Sequence, residues 1–263
     1  MVKWKCYHWV MQGGRQVEIQ IQMIGTGNAF AKKYFNNNAI VSAKGSRLLI
    51  DCGVTAPYAL HQLSVSPADL EGILITHIHG DHIGGLEEIA FRMKYVHQRK
   101  LKLFVPAALQ KPLWEESLKG AMEDHSANCD SLSSYFDVVP LEAGQPVAVF
   151  DGLTVELVAT KHVPNKPSFA VLLNESVFYS SDMTFDPDLL IGLIDAGRCG
   201  HILHDCQLRG YGAVHTTLSE LLTLPDRVQD NLWLMHYEDG RDEFIGKTGR
   251  MRFIEQHQVY RFG

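Results

Sequence analysis

Four side chains that can bind a metal ion lie within six consecutive residues of the chain: His77, His79, Asp81 and His82. Neutral imidazoles and carboxylates suit zinc best, with manganese or iron as alternatives. The spacing lets His77 and His79 face one ion, while Asp81 and His82 face a second. We therefore predict a paired metal site that activates water. The alternative is a histidine-rich loop whose side chains only make turn hydrogen bonds.

The elements around this run would position it at the end of a strand. Residues 72–76 contain three consecutive aliphatic residues between a glycine and a threonine, which predicts a buried strand, and residues 83–98 carry apolar side chains at helical spacing. The histidines then lie on the loop between strand and helix, where several side chains can converge on one point. Near the N-terminus, Gly13 and Gly14 predict a hairpin turn before a strand at residues 17–21.

The H-x-H-x-D-H pattern resembles the signature of the metallo-β-lactamase superfamily. Residues 24–29 are similar to the family's early glycine turn, and residues 48–53 are similar to its strand ending in Asp-Cys-Gly. The resemblance implies an α/β fold, an αββα sandwich with a dinuclear metal site at the sheet edge. It also implies three later ligands in order, which match His162, Asp182 as the bridging residue, and His236.

Each of these three residues is weaker evidence when taken alone. A single histidine after an apolar strand is more often structural than a ligand, and Asp182 could instead be a helix N-cap. Asp186 followed by Pro187 also resembles a helix start, so the two aspartates could have different roles. An aspartate at the bridging position, rather than a cysteine, resembles the phosphodiesterase and hydrolase branches of the superfamily. We therefore do not expect this chain to be a β-lactamase.

A second group of residues resembles RNase Z, the tRNA 3′-end nuclease. His204-Asp205-Cys206 and His215-Thr216-Thr217 are similar to two elements of that family, with Asp205 in place of its glutamate. The resemblance implies that His215 donates a proton to the leaving oxygen and that Asp205 orients it. Asp81 would orient the attacking water or accept its proton. The alternative is that His215 only caps the helix starting near Thr216 or Thr217.

Composition and charge indicate the kind of molecule. The chain has 263 residues, 46% of them hydrophobic, and shows no linker, so we expect one domain over residues 1–263. The net charge of −6 disfavours a large nucleic acid as partner. Five scattered cysteines without a C-x-x-C pair, and no apparent signal peptide or membrane span, predict a cytoplasmic protein.

The interval between His162 and Asp182 is only 20 residues, too short for the basic arm with which RNase Z grips tRNA. The chain is most similar to the anti-Pycsar proteins, RNase Z-like enzymes without that arm. This resemblance implies a phosphodiesterase that converts 3′,5′-cyclic mononucleotides, including cCMP and cUMP, to 5′-monophosphates and so counters antiviral signalling. It implies two zinc ions, or manganese, a small cyclic-nucleotide substrate and a homodimer.

Three functions remain open at this point. Besides the cyclic-nucleotide phosphodiesterase, the motifs fit an RNase Z-type nuclease or another small-ester hydrolase of the arylsulfatase or lactonase type. A non-catalytic binding module would require a broken ligand set. Contacts to the base are equally open, because each candidate loop could also be a turn without any role in ligand binding. The candidates are Tyr34, Phe35, Asn36 to Asn38, Asn165, Lys166, Ser168, Tyr237, Glu238 and Arg241.

Overall fold

Two mixed β-sheets of seven strands each form the centre of the computed structural model, which describes residues 18–263. The first sheet contains β1 (Ile19–Gly25), β2 (Asn38–Ala43), β3 (Ser46–Ile50), β4 (Gly72–Leu74), β5 (Leu101–Pro106), β6 (Phe136–Leu141) and β14 (Val259–Phe262). The second contains β7 (Val147–Phe150), β8 (Leu153–Thr160), β9 (Ser168–Leu173), β10 (Val177–Tyr179), β11 (His201–Asp205), β12 (Leu232–Met235) and β13 (Arg252–Phe253). The strand order is β14-β1-β2-β3-β4-β5-β6 in one sheet and β13-β12-β11-β10-β9-β8-β7 in the other.

Short helices connect these strands. The α-helices are α1 (Ala56–Gln62), α2 (Gly80–Ile83), α3 (Leu86–Phe91), α4 (Ala107–Pro112), α5 (Lys119–Met122), α6 (Pro187–Asp195), α7 (Leu218–Leu221) and α8 (Asp226–Gln229). Two π-helical segments, Arg92–Val96 and Leu113–Leu118, continue α3 and join α4 to α5. Single 3₁₀ turns occur at Pro67–Asp69, His125–Ala127, Leu132–Ser134 and Arg241–Phe244. Across the described residues, every helix is too short or too polar to span a bilayer.

Strand β9 shows why the second sheet is covered on both faces. All six of its residues are buried. Because side chains alternate along a strand, Val171 and Leu173 join the large core that also contains residues of the first sheet, whereas Ala170 and Leu172 face a second core. That second core includes Leu190 of α6 and the apolar residues of α7 and α8. The result is the αββα sandwich predicted from the sequence.

The local predictions around residues 77–82, called here the metal-binding run, hold with one correction. Strand β4 precedes the run, and α3 with its π-helical continuation follows it, as the apolar spacing indicated. His77 and His79 lie on a loop, as predicted. Asp81 and His82 were predicted on the same loop, but they belong to the helical turn α2. The predicted N-terminal hairpin depends on residues 1–17, which lie outside the described part of the chain.

Parallel strands bring the polar residues to one edge of the sandwich. β3 and β4 are parallel neighbours in the first sheet, and β10, β11 and β12 are parallel neighbours in the second. The carboxyl ends of parallel strands meet at the same edge of a sheet. The segments that leave these five strands begin with Asp51, Ile75, Ser180, Cys206 and His236.

The loop after β3 and the metal-binding run are held together through their backbones. The amide of Cys52 donates to the carbonyl of His82 at 2.7 Å, and the amide of Gly85 donates to the carbonyl of Cys52 at 2.8 Å. Between them, a β-carbon on Gly53 would lie 1.9 Å from the carbonyl oxygen of Asp81. Only glycine allows this approach.

We predict that Gly53→Ala lowers the free energy of unfolding by about 1–3 kcal/mol, because the methyl group must displace rigid backbone. Gly192→Ala is the matched control, since Gly192 lies within α6 with open space around it. Alanine should stabilise that helix by up to about 1 kcal/mol. Urea unfolding measures both changes, and equal effects of the two substitutions would contradict the steric argument.

Candidate metal centre and adjacent acid pair

The structure brings all seven predicted ligands together at the edge of the sandwich. His162 follows β8 by two residues, Asp182 follows β10 by three, and His236 follows β12 directly. Their donor atoms form two groups that share one carboxylate, each with all donor atoms within 4.8 Å of one another. The first group is His77, His79, His162 and Asp182, and the second is Asp81, His82, His236 and Asp182.

The first group has the spacing of ligands around a single ion. His79 Nδ1 lies 3.1 Å from His77 Nε2 and 3.2 Å from His162 Nε2. Asp182 Oδ2 lies 3.6 Å from His77 Nε2 and 3.7 Å from His162 Nε2. Four donors at zinc bond lengths around a tetrahedral ion are separated by roughly 3.3–3.4 Å, which is close to these distances.

The second group is similarly compact. Asp81 Oδ2 lies 3.3 Å from His82 Nε2 and 3.4 Å from His236 Nε2. Asp182 contacts both histidines, with Oδ2 at 3.3 Å from His82 Nε2 and Oδ1 at 3.3 Å from His236 Nε2. The Asp182 carboxylate therefore faces both groups and is placed to bridge two ions.

Two buried atoms in the cluster support its fit to a cation. Within residues 18–263, His82 Nε2 and Asp182 Oδ1 are buried and have no hydrogen-bond partner. Buried polar atoms in native proteins are nearly always paired, because an unpaired one loses its hydration without compensation. Both atoms lie among other nitrogen and oxygen donors, so a divalent ion would satisfy them. The imidazole and carboxylate donor set matches zinc or manganese.

The ionisation states of the three histidines in the first group, and of Asp182, also favour ligation. Burial, reinforced by neighbouring histidines, lowers the pKa of His77 and of His79, and burial lowers the pKa of His162. Their imidazoles are therefore neutral, the form that binds a metal. Burial acts to raise the pKa of Asp182, but His236 and His82 outweigh it and hold that pKa well below the usual range. The bridging position is thus a carboxylate anion.

Asp51 supports the cluster through hydrogen bonds, a role that was not predicted from the sequence. Its Oδ2 accepts hydrogen bonds from His82 Nδ1 and Thr76 Oγ1, both at 2.8 Å, and its Oδ1 accepts one from the Thr76 amide at 2.9 Å. Thr76 Oγ1 is also 2.8 Å from Ser181 Oγ, beside the bridging residue. The Asp-Cys-Gly motif was the available signal for this role, since it ends the strand next to the metal-binding run.

Backbone conformation at the cluster is strained at three strand ends. Asp51, Ser181 and His236 have φ values of 58°, 50° and 57°, in the left-handed region that residues other than glycine seldom adopt. Such residues persist only where surrounding contacts determine the conformation, and they concentrate at functional sites.

His215 and Asp205 form an acid pair directly beside the two ligand groups. His215 Nδ1 lies 3.1 Å from Oδ2 of the fully buried Asp205, and its ring centroid is 4.9 Å from those of both His162 and His236. Burial opposes a charge on His215, but the hydrogen bond to Asp205 and the field of Asp182 outweigh it and raise the His215 pKa to about 8. The charged imidazolium form of His215 is therefore favoured near neutral pH.

The helix-capping alternatives are resolved by the structure. Thr217, rather than His215, caps α7, because its hydroxyl accepts from the Glu220 amide while the Glu220 carboxylate accepts from the Thr217 amide. Asp186 caps α6 by accepting from the amide of Leu189. Neither His215 nor Asp182 is used in this way, so both remain available for chemistry.

We predict that Asp51→Asn weakens zinc binding about 10- to 100-fold, because residues that orient metal ligands typically have effects of this size. The amide keeps the shape of the side chain but removes the charge that His82 faces. Asp137→Asn, on the exposed side of β6, is the matched control. Competitive titration with a chelator measures both affinities, and unchanged affinity in Asp51→Asn would show that this support is dispensable.

Comparison with known proteins shows the family of this chain. The sequence profile of the family described as "Anti-Pycsar protein Apyc1" matches residues 19–260. A protein of that name from Paenibacillus xerothermodurans is 55% identical over 246 residues, covering 94% of this chain and 98% of the relative. One from Bacillus phage vB_BveM-Goe7 is 44% identical over 251 residues, covering 90% and 96%.

Solved structures with low sequence identity share the fold. The metallo-β-lactamase fold protein YhfI from Bacillus subtilis superposes with a TM-score of 0.73 at 17% identity, covering 93% of this chain and 99% of that one. The short form of human tRNase Z superposes with a TM-score of 0.65 at 18% identity, covering 92% and 98%. The chain has the metallo-β-lactamase fold, and it belongs to the anti-Pycsar Apyc1 family.

Proposed function

We propose that this protein is a metal-dependent phosphodiesterase that hydrolyses 3′,5′-cyclic mononucleotides to nucleoside 5′-monophosphates. The observation that carries the proposal is the double ligand cluster, joined by Asp182, with the His215–Asp205 pair beside it. Two cations would be suited to a phosphate, and a proton donor next to them suits an alkoxide leaving group. Membership of the anti-Pycsar family supports a cyclic nucleotide as substrate and a role against antiviral signalling.

In this proposal the two groups hold two zinc ions, with manganese as an alternative. The first group, from His77, His79 and His162, and the second, from Asp81, His82 and His236, share the carboxylate of Asp182. When bound, such ions polarise phosphoryl oxygens and lower the pKa of water. Asp81 orients the attacking water or accepts its proton, since its Oδ2 lies within the second group.

His215 and Asp205 act on the other side of the scissile bond. As the bond between phosphorus and the 3′ oxygen breaks, His215 protonates that oxygen, and the phosphate remains on the 5′ oxygen. Asp205 orients the imidazole and stabilises its charged form through the 3.1 Å contact. Proton donation of this kind contributes about 10²- to 10⁴-fold to a rate.

The RNase Z-type nuclease is the alternative from the same motifs. Between His162 and Asp182 this chain contains only a turn, β9 and β10, so the arm that grips tRNA in RNase Z has no counterpart there.

We further propose that the chain works as a single domain in the cytoplasm, as a homodimer, and without a large nucleic acid as partner. Sedimentation equilibrium tests the dimer.

The direct test is product formation by zinc-loaded protein from a panel of 3′,5′-cyclic mononucleotides, with His77→Ala as control. We expect 5′-monophosphates from the wild type and loss of activity in the control. Precursor tRNA is tested in parallel. Cleavage of tRNA alone would replace the proposal with nuclease activity, and inactivity on both substrates would redirect it to other esters.

We predict that His215→Ala lowers kcat about 10²- to 10⁴-fold while zinc content stays at the wild-type level, because His215 donates a proton and is not a ligand. Asp205→Asn should give a smaller loss, since the imidazole remains. His125→Ala, at an exposed position, is the control and should retain full activity. If His215→Ala loses its metals, the assignment of His215 as acid is wrong.

A further inference from the structure

One charged residue borders the metal centre without a role in the proposed mechanism. Lys166 lines a small cleft together with His77, His79 and His162, the three histidines of the first ligand group. The same cleft is bordered by Pro167. A positively charged side chain therefore lies at the rim of the centre, on the side of the first ligand group.

The backbone around Lys166 is well fixed. Its amide donates to the carbonyl of Val163 at 3.1 Å, and Asn165 occupies the left-handed region at φ 63° within this turn. Pro167 follows, which restricts the backbone of Lys166 to extended conformations. Next along the chain, Ser168 Oγ donates to the carbonyl of Asp182 at 3.1 Å, which ties the loop to the bridging ligand. Lys166 is thus held between His162 and a contact to Asp182.

The ammonium group of Lys166 is available for a ligand. Lys166 is exposed, and no carboxylate within residues 18–263 forms an ion pair with it. Two other polar candidates for contacts with the substrate are already engaged by the protein. Arg241 pairs with Glu255, and the buried Tyr237 donates its hydroxyl to the carbonyl of Ile254.

We propose that Lys166 is a phosphate-binding residue that gives the centre its preference for anionic phosphodiesters over neutral esters. The proposal deepens the proposed function and rests on it for the identity of the substrate. The contact itself concerns any phosphate at the first ion. Lysine is a compact, flexible point charge, so it can follow a phosphate as its charge rises from one in the cyclic ester to two in the product.

The test compares Lys166→Gln with Lys161→Gln in zinc-loaded protein at equal metal content. Lys161 is the matched control, because it is an exposed lysine on the same loop, adjacent to His162, that does not line the cleft. Calorimetry with inorganic phosphate measures binding without turnover. We expect the phosphate Kd to rise about 3- to 10-fold in Lys166→Gln, as befits a partly screened ion pair, and to stay unchanged in Lys161→Gln.

Two further readouts separate a charge contact from a structural effect. Lys166→Arg should restore most of the phosphate affinity, and Lys166→Gln should raise KM for the cyclic nucleotide and flatten its salt dependence while kcat stays within about twofold. Equal phosphate affinity in the two glutamine variants would overturn the proposal. Because phosphate binding needs no turnover, a wild type that binds phosphate through Lys166 but does not cleave cyclic nucleotides would refute the proposed function alone.

Discussion

The buried carboxylate of Asp182 is the interaction on which the site depends. Only 1% of this residue is exposed, yet its oxygens lie 3.3–3.9 Å from nitrogens of five histidines. An anion in so dry a place requires compensation, because burial of an unpaired charge costs several kcal/mol. The histidines cannot all supply it, since burial holds His77, His79 and His162 neutral. His236 and His82 lower the pKa of Asp182, and in our proposal divalent cations shared between the two groups would compensate the rest of its charge.

The sandwich fold supplies the rigidity that this arrangement requires. Strands buried on both faces bring their carboxyl ends to one edge, and backbone hydrogen bonds join the loop after β3 to the metal-binding run. The strained φ values of Asp51, Ser181 and His236 lie at that edge. Well-packed strands can maintain such strain, so the ligands are positioned before any ion binds. In our proposal, substrate preference then depends on the loops at the rim, where Lys166 lies.

Much of this could be predicted from the sequence, because short-range patterns encode it. The spacing of His77, His79, Asp81 and His82 predicted that these side chains converge, and the resemblance to a known superfamily pointed to His162, Asp182 and His236, which the structure brings to the same cluster. Resemblance to a known superfamily supplied the αββα arrangement and the pairing of His215 with Asp205. The sequence could not show that Asp51 holds His82 and Thr76, since that contact joins residues 31 and 25 positions apart.

The same limit applies to several candidates for contacts with the nucleotide base. Tyr237 and the asparagines near residue 37 resemble binding residues in the sequence, but the structure buries them. Asn38 Oδ1 accepts from the amide of Gly53 at 2.9 Å, and Asn37 Nδ2 donates to the hydroxyl of Tyr179 at 3.0 Å. Whether a polar side chain meets protein or ligand is decided by tertiary packing, which local sequence does not contain.

Anomalous diffraction at the zinc absorption edge, from crystals of the zinc-loaded protein, tests most directly whether two cations share Asp182. We predict two anomalous peaks per chain, about 3.5–4 Å apart, on either side of the Asp182 carboxylate. A single peak within the cluster would show that Asp182 does not bridge two ions. Zinc bound at full occupancy only at a site remote from these seven side chains would contradict the proposed metal centre as a whole.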